Sequence, residues 1–401
     1  MNKCLVSINA VLLGMWIVVP THGGYYNTTD AVKEEMRWSL DFGNDVHGFR
    51  PVMDNLLILS DPNPPRNPPI RQRYLLIDRL AQEGKLKLLT LEQKLNYATV
   101  LIRLGRADEA VQFLQPLERE HGENFLFLTH YASARFLSSN FRSDAALYVR
   151  ESLKRWPETW EKVTEDDQKY LALNYGWEKY AFERLRRYEV YFSRLILNRL
   201  NEDQRRTRKE EVAEVVDPIF NKAKDPPVSY VNDAGVFEAA RMTPADKEKI
   251  PRDAVEAVQQ LLIWMPGDER LLWQLAEAFN AMASYESDAK AKYQLLSSSR
   301  EVFQYLDDKA FKKGRIHGGP EIKKHMQALA DFLQTLPDPN ELDPAKLLPK
   351  TDDTPNGLTS EQWWRTLGVG FATGLVVGMF ALWQVQEMRR RRQTRAAGNH
   401  G

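Results

Sequence analysis

Residues 91–114 read LEQKLNYATVLIRLGRADEAVQFL, and residues 125–148 read FLFLTHYASARFLSSNFRSDAALY. An offset of 34 residues aligns the two stretches, so that a Tyr-Ala pair meets a Tyr-Ala pair and the Gly105 turn meets Ser139-Asn140. In both stretches apolar residues recur at helical spacing, in short runs separated by small or polar residues. A period of this size predicts stacked helix-turn-helix units, because one such unit is too small to bury its own apolar face.

The residues that recur are small or apolar and lie at fixed spacing: Tyr97, Ala98, Leu101, Gly105, Ala107, Ala110 and Leu114, then Leu128, Tyr131, Ala132, Ala145 and Pro157. This pattern resembles the tetratricopeptide repeat family, in which the two helices of a repeat cross closely at small residues. Arg135 departs from the pattern, since an apolar residue is expected there. The region from Ala254 to Phe279 has the same character. A generic helical bundle with a chance repeat is the alternative.

Both chain ends carry apolar runs that predict the topology. A basic start, the apolar run 4–19 and small residues behind it are typical of a secretory signal peptide, with cleavage after Gly23. An uncleaved N-terminal anchor is the alternative. The uncharged run 367–385 approaches the length of a membrane-spanning helix, and the arginines of 389–395 follow it. Because basic residues stay on the cytoplasmic side, the C-terminus is predicted inside and the body outside. A buried core helix is the alternative here.

Proline-rich or charge-rich stretches divide the rest of the chain, since proline removes a backbone donor and restricts the preceding residue. The predicted fold class is all-α: a helix-turn-helix, TPR-like solenoid with an irregular insertion, plus one C-terminal transmembrane helix. The predicted divisions are a signal peptide at 1–23, an N-terminal segment with a Pro-rich linker at 24–72, a helical domain at 73–335 with the insertion at about 201–251, a Pro-rich stalk at 336–362, a transmembrane helix at 363–387 and a basic cytoplasmic tail at 388–401.

Three glycines, Gly370, Gly374 and Gly378, fall on one face of the predicted transmembrane helix. Small residues at four-residue intervals let two helix backbones approach closely. This face is therefore a candidate for homodimerisation within the membrane. The alternative is that these glycines reflect only the general frequency of glycine in membrane helices.

Composition and motif searches exclude several function classes. Lys plus Arg and Asp plus Glu both total 55, so the bulk charge predicts no nucleic acid partner. Cys4 is the only cysteine, so the body is expected to contain no disulfide and no cysteine-ligated metal. The histidines are scattered, and no phosphate loop, nucleophile elbow or dinucleotide fingerprint occurs. We therefore predict no catalytic residue, no cofactor and no metal site, and a protein that is not an enzyme.

The resemblance implies that the first helices of the repeats line a concave face that holds a peptide or a partner helix. Leu95 and Thr99 stand where the chaperone-tail binders of the family use polar clamps, so an apolar or amphipathic segment suits this face better. The groove residues implied for the first two units are Leu95, Thr99, Ile102, Arg103, Thr129, Ser133 and Phe136.

Two functions are compatible with these features. The favoured one is a scaffold or adaptor, tethered to the inner membrane of a bacterial-type envelope with its main domain in the periplasm, that binds an unidentified protein partner. The alternative is an envelope hydrolase that acts on polysaccharide with a pair of carboxylates, whose separation only the folded chain reveals. Two acids that face each other across a deep pocket would favour the hydrolase.

Overall fold

The computed structural model describes residues 54, 56–61, 64–65, 69–85, 88–208, 216–221, 228–232, 234, 236–310 and 319–337. The predicted signal peptide, transmembrane helix and cytoplasmic tail lie outside these residues, and so do Gly370, Gly374 and Gly378 of the predicted association face.

The described part of the chain consists of helices joined by turns and irregular segments, with no β-strand. The all-α part of the predicted fold class is therefore confirmed for these residues. In chain order the α-helices are α1 Pro69–Gln82, α2 Leu91–Arg103, α3 Ala107–Leu114, α4 Glu118–His121, α5 Phe125–Leu137, α6 Ala145–Arg155, α7 Glu165–Tyr175, α8 Lys179–Thr207, α9 Pro244–Lys247, α10 Ala254–Trp264, α11 Glu269–Ala283, α12 Ala289–Ala310 and α13 Gly319–Leu333.

Several helices begin at side chains that bind the free backbone donors of the first turn. Thr90 accepts from the backbone N–H of Gln93, whose side chain accepts in turn from Thr90, and this reciprocal pair begins α2. Asn124 and Asp268 cap α5 and α11 in the same way through one hydrogen bond each. Such a cap stabilises a helix by about 1 kcal/mol. The starts of these helices are therefore fixed locally by the sequence.

The first two hairpins pack as stacked units. Helix α2 packs on α3 within the first unit, α5 packs on α6 within the second, and α5 also contacts both α2 and α3. Ala98 and Ala110 are fully buried, as expected for small residues between closely packed helices. At the start of α3, the Asp108 carboxylate accepts hydrogen bonds from the hydroxyls of Ser138 and Ser139, which follow α5. The first unit therefore holds the turn of the second.

Arg135 lies on α5 at the position where an apolar residue was expected. Its guanidinium carbon lies 4.6 Å from the ring centre of Tyr131 and 4.8 Å from that of Tyr148. The same group donates to the Tyr131 hydroxyl at 2.7 Å and to Asp144 at 3.0 Å. Aromatic faces attract a cation, so the arginine replaces an apolar side chain without leaving its charge unsatisfied.

The second half repeats the hairpin arrangement, because α10 packs on α11, α11 on α12 and α12 on α13. The 29-residue helix α8 contacts both α6 and α10 and so joins the two halves. Beyond α8 the described residues 216–243 are irregular, yet Ile219 is fully buried and its carbonyl accepts from Arg194 of α8 at 2.9 Å. Residues 217–221 of this segment are therefore part of the core.

One part of the predicted fold class, the transmembrane helix, is not borne out by the described residues. Within the described ranges, no helix is long and apolar enough to cross a bilayer. A span needs about 20 predominantly apolar residues. Helix α8 is long enough, but it carries charged residues along its whole length. Residues 363–387, to which the sequence assigned the span, lie outside the described part of the chain.

Candidate functional site

The face that the resemblance implies as a partner groove is not open in this structure. All of its predicted residues are between 0% and 6% exposed: Leu95, Thr99, Ile102, Arg103, Thr129, Ser133 and Phe136. A side chain this deeply buried has no surface left for a second protein. Any partner contact must therefore use another part of the surface or displace what covers this one.

Two helices of the same chain cover the groove face. The Phe136 ring meets the edge of Phe192 from α8, with 6.5 Å between ring centres. At the other end of the face, Arg103 donates through Nη1 to the backbone carbonyl of Ile263 in α10, at 2.6 Å. These contacts join residues up to 160 positions apart. The predicted groove face is therefore covered by other parts of the same chain.

A small cavity of about 10 Å³ survives under this cover, between Thr129, Ser152, Glu189 and Ser193. A volume of this size holds about one water molecule. The hydroxyls of Thr129 and Ser152 lie 2.7 Å apart and already satisfy each other. This cavity is too small for a ligand other than water.

A larger cleft of about 330 Å³ opens at the edge of the groove face, where the turns after α2 and α10 meet the end of α5. Ile102 and Arg103 are the two predicted groove residues that line it. The rest of its lining is mostly apolar and consists of Leu56, Ser60, Gly105, Ala107, Leu137, Trp264, Met265, Pro266, Gly267 and Asp268. Small-molecule pockets usually have volumes of about 300–1,000 Å³, so the cleft is large enough for one large apolar group.

Two glycines shape the cleft by allowing residues 54 and 56–61, here called the leucine segment, to approach both turns. Gly105 has φ +75°, and a Cβ built on it would lie 3.3 Å from the carbonyl oxygen of Ser60. Gly267 has φ +76°, and a Cβ there would lie 2.3 Å from a methyl group of Leu57. Glycine adopts positive φ at no steric cost and leaves this space empty. A larger residue at Gly267 would have to displace the side chain of Leu57.

Polar contacts fix the ends of the leucine segment. Arg71 of α1 donates to the carbonyl oxygen of Asp61 at 2.9 Å. At the other end, the Tyr305 hydroxyl of α12 donates to the Asp54 carboxylate at 3.1 Å. The segment therefore contacts both α1 and α12, which are far apart in the sequence. It forms one wall of the cleft.

The charges beside the cleft neutralise one another. Asp268 caps α11 and also accepts from Arg199 of α8 at 2.5 and 2.9 Å. Arg199 contacts the buried Asp217 at 2.7 Å as well. Burial disfavours the charged guanidinium, but the hydrogen bonds and charges of the two aspartates outweigh it and raise the pKa of Arg199. The cleft wall therefore offers no uncompensated carboxylate to a ligand.

The arrangement predicted for a hydrolase is not found in this cleft. Among the described residues that line it, Asp268 is the only carboxylate, and its oxygens are taken by Arg199 and the helix cap. The described ranges also contain no group of three or more His, Cys, Asp or Glu side chains placed to hold a metal ion. What the cleft does offer is apolar surface.

Comparison with known proteins gives no match to a family model, to a curated protein or to a solved structure. The tetratricopeptide resemblance therefore rests on the sequence pattern alone.

Proposed function

We propose that this protein is a TPR-like adaptor that binds a short apolar segment of a protein partner in the 330 Å³ cleft. The observation that carries the proposal is this open, mostly apolar cleft. It lies directly beside the leucine segment, whose leucine side chains are already buried against the neighbouring surface. Leu56 and Leu59 of the leucine segment are each only 1% exposed. The extracytoplasmic location stays a prediction of the sequence.

The chemistry of the leucine segment indicates what the neighbouring cleft accepts. Leucine side chains bury on this surface because the turns after α2 and α10 present mostly apolar groups and backbone, and the one carboxylate among them, Asp268, is paired with Arg199. Full burial of one large apolar side chain is worth about 1.5–3 kcal/mol. A partner that places one leucine, methionine or phenylalanine in the cleft gains that amount before its other contacts. This is the energy of an interface hot spot.

This site replaces the groove inferred from the family resemblance. A repeat protein of that family leaves its concave face open, whereas here α8 and α10 cover it. The cleft is the accessible edge of the same face, since it retains Ile102 and Arg103. Binding at this edge requires no displacement of a helix.

The proposal can be tested by filling the cleft with a larger side chain and measuring whether peptide binding is lost. Leu137, at the end of α5, lines the cleft, so Leu137→Trp should occupy it. A displayed random-peptide library panned against the wild-type protein should yield peptides that share one large apolar residue. Leu137→Trp should weaken their binding at least tenfold, which corresponds to about 1.4 kcal/mol.

Leu147 provides the matched control, since it is a leucine on α6 that is 57% exposed and lies outside the cleft lining. Leu147→Trp should leave peptide binding unchanged. Leu137→Ala should enlarge the cleft and shift the selected residue toward tryptophan. Peptides without a shared apolar residue, or equal binding to the Leu137→Trp variant, would contradict the proposal.

A further inference from the structure

A second site lies in the other half of the chain, around a buried carboxylate. Glu277 of α11 is 1% exposed. Its Oε1 accepts a hydrogen bond from Trp273 Nε1 at 3.1 Å and lies 3.3 Å from Nδ1 of His325 in α13. Its second oxygen, Oε2, is buried and accepts no hydrogen bond. The two side chains thus form an acid–base pair that is almost removed from water.

The imidazole of His325 is enclosed by aromatic rings. Phe237 stacks on it with 4.0 Å between ring centres and 19° between planes, while Phe303 and Trp273 present their edges at 5.2 and 5.5 Å. Phe237 belongs to residues 236–240, here called the cover segment, which leads into α9. The stack of Phe237 on His325 is therefore the direct contact between the cover segment and the buried pair.

The far end of the cover segment is held by a strained contact. Ala240 has φ 55°, a left-handed conformation that costs a residue with a Cβ about 1–2 kcal/mol. Its backbone N–H donates to Oδ1 of Asn280 on α11 at 2.7 Å. Undocking the segment would relieve the strain at Ala240 but break the stack of Phe237 on His325. The docked position of this segment is therefore sensitive to small changes at the pair.

We propose that the Glu277–His325 pair binds one proton, and that this proton controls how tightly the cover segment docks on α11 and α13. With one proton the pair is neutral overall, and it fits its dry, ring-lined surroundings. Without that proton the pair carries a net negative charge that the rings do not stabilise. Water then has to reach the pair, and the cover segment is the layer that it must displace.

The electrostatics of Glu277 support this direction. Burial raises the pKa of Glu277 above its ordinary value of 4.5, and the contacts from His325 and Trp273 only partly oppose the effect. The folded form therefore holds the proton more strongly than the unfolded form. The stability that the proton contributes is present in full below the ordinary value and is lost as the pH rises through the raised one.

The other charges near the pair come from few groups. Tyr230, from residues 228–232, interacts electrostatically with Glu277, and Asp246 of α9 acts on Tyr230 in turn. Helix α12 faces the imidazole with Phe303. The one charged residue of α10, Glu256, interacts instead with Asp253 and Arg184. Within the cover segment, hydrogen bonds from Asn232 and Arg241 lower the pKa of Glu238 and so favour its charged form. The proton on the pair is therefore the variable charge with which the proposal is concerned.

The experiment measures amide hydrogen exchange of residues 236–240 in the full-length protein between pH 5 and pH 8, corrected for the intrinsic effect of pH on exchange. In the wild-type protein, protection of these amides should fall as the pH rises, by at most about tenfold per pH unit for one proton. Glu277→Gln should remove this dependence and keep protection high, because the neutral amide has no proton to lose.

Two further variants keep the test decisive. His325→Gln removes a contact that lowers the pKa of Glu277, so the fall in protection should move to higher pH. Glu256→Gln is the matched control, since burial also raises the pKa of Glu256 but this residue does not contact the pair. It should leave the profile of residues 236–240 unchanged. The proposal is overturned if Glu277→Gln retains the wild-type pH dependence, or if His325→Gln does not move it.

Discussion

Two regions of this molecule surround an ionisable side chain with aromatic rings, and the sign of the charge separates them. In the first half, Arg135 lies against the rings of Tyr131 and Tyr148. In the second half, Glu277 and His325 lie among Phe237, Phe303 and Trp273. The face of an aromatic ring is electronegative, so it attracts a cation and gives no help to an anion. One aromatic cage therefore stabilises a fixed charge, while the other favours neutrality.

Solvent access follows the same division. The partner of Arg135, Asp144, keeps 60% of its side chain exposed and shares the charge with water. The side chain of Glu277 is 2% exposed and that of His325 is 10% exposed, so water can stabilise a charge on this pair only weakly. We therefore expect the first site to be insensitive to pH over the neutral range, and the second to respond to it.

The largest effect should come from removing the base in the second cage. His325→Ala leaves the Glu277 carboxylate buried without its partner, and breaking a buried pair in this way typically costs about 3–5 kcal/mol. The free energy of unfolding at pH 8, measured with urea, should fall by that amount. His325→Phe fills the same space without a base, so it separates lost volume from lost pairing. If the double variant His325→Phe with Glu277→Gln is no more stable than His325→Phe alone, the charge argument fails.

A smaller effect is expected for the cation in the first cage. Arg135→Ala removes two ring contacts and the hydrogen bonds to Tyr131 and Asp144, at a cost of about 1–3 kcal/mol. The loss should be the same at pH 5 and pH 8, because none of it depends on a titration in that range. Arg135→Lys, which keeps the charge, should recover part of the stability. A loss that changes strongly between the two pH values would remove the contrast between the cages.

The smallest effect should belong to the exposed partner. Asp144→Asn keeps the shape of the side chain and removes a charge that is mostly solvated, so the change in unfolding free energy should stay below about 0.5 kcal/mol. Thermal unfolding at low and at 0.5 M salt would measure it. A loss as large as that of Arg135→Ala would mean that the ion pair, rather than the rings, stabilises the arginine.

The sequence predicts the local part of this fold well. The 34-residue offset indicates hairpins whose contacts lie within one or two helices, and α2, α3, α5 and α6 occupy those positions. Arg135 stood out in the sequence as a departure, but the second ring beside it belongs to Tyr148 of the following helix. The contact between Arg135 and Tyr148 could not be predicted from the sequence, because it forms only when α5 and α6 pack together.

The covered groove and the cleft could not be predicted in the same way, because distant parts of the chain form them. Arg103 contacts Ile263, which lies 160 residues away, and no local pattern encodes that distance. The Pro266-Gly267 pair and the Gly105 turn were visible signals of turns. Nothing in the sequence indicated that the leucine segment would lie across both. The predicted groove was therefore occupied, and the cleft beside it was missed.

The leucine segment has a consequence for synthesis on the ribosome. Its contacts with Gly267 and Tyr305 cannot form until more than half of the chain has been translated, although the hairpins of α2 to α6 are complete long before. During that interval the side of the leucine segment that later faces Gly267 and Tyr305 is uncovered, and exposed apolar surface of this kind binds chaperones and promotes aggregation. Slow translation between α6 and α11 would lengthen that exposure.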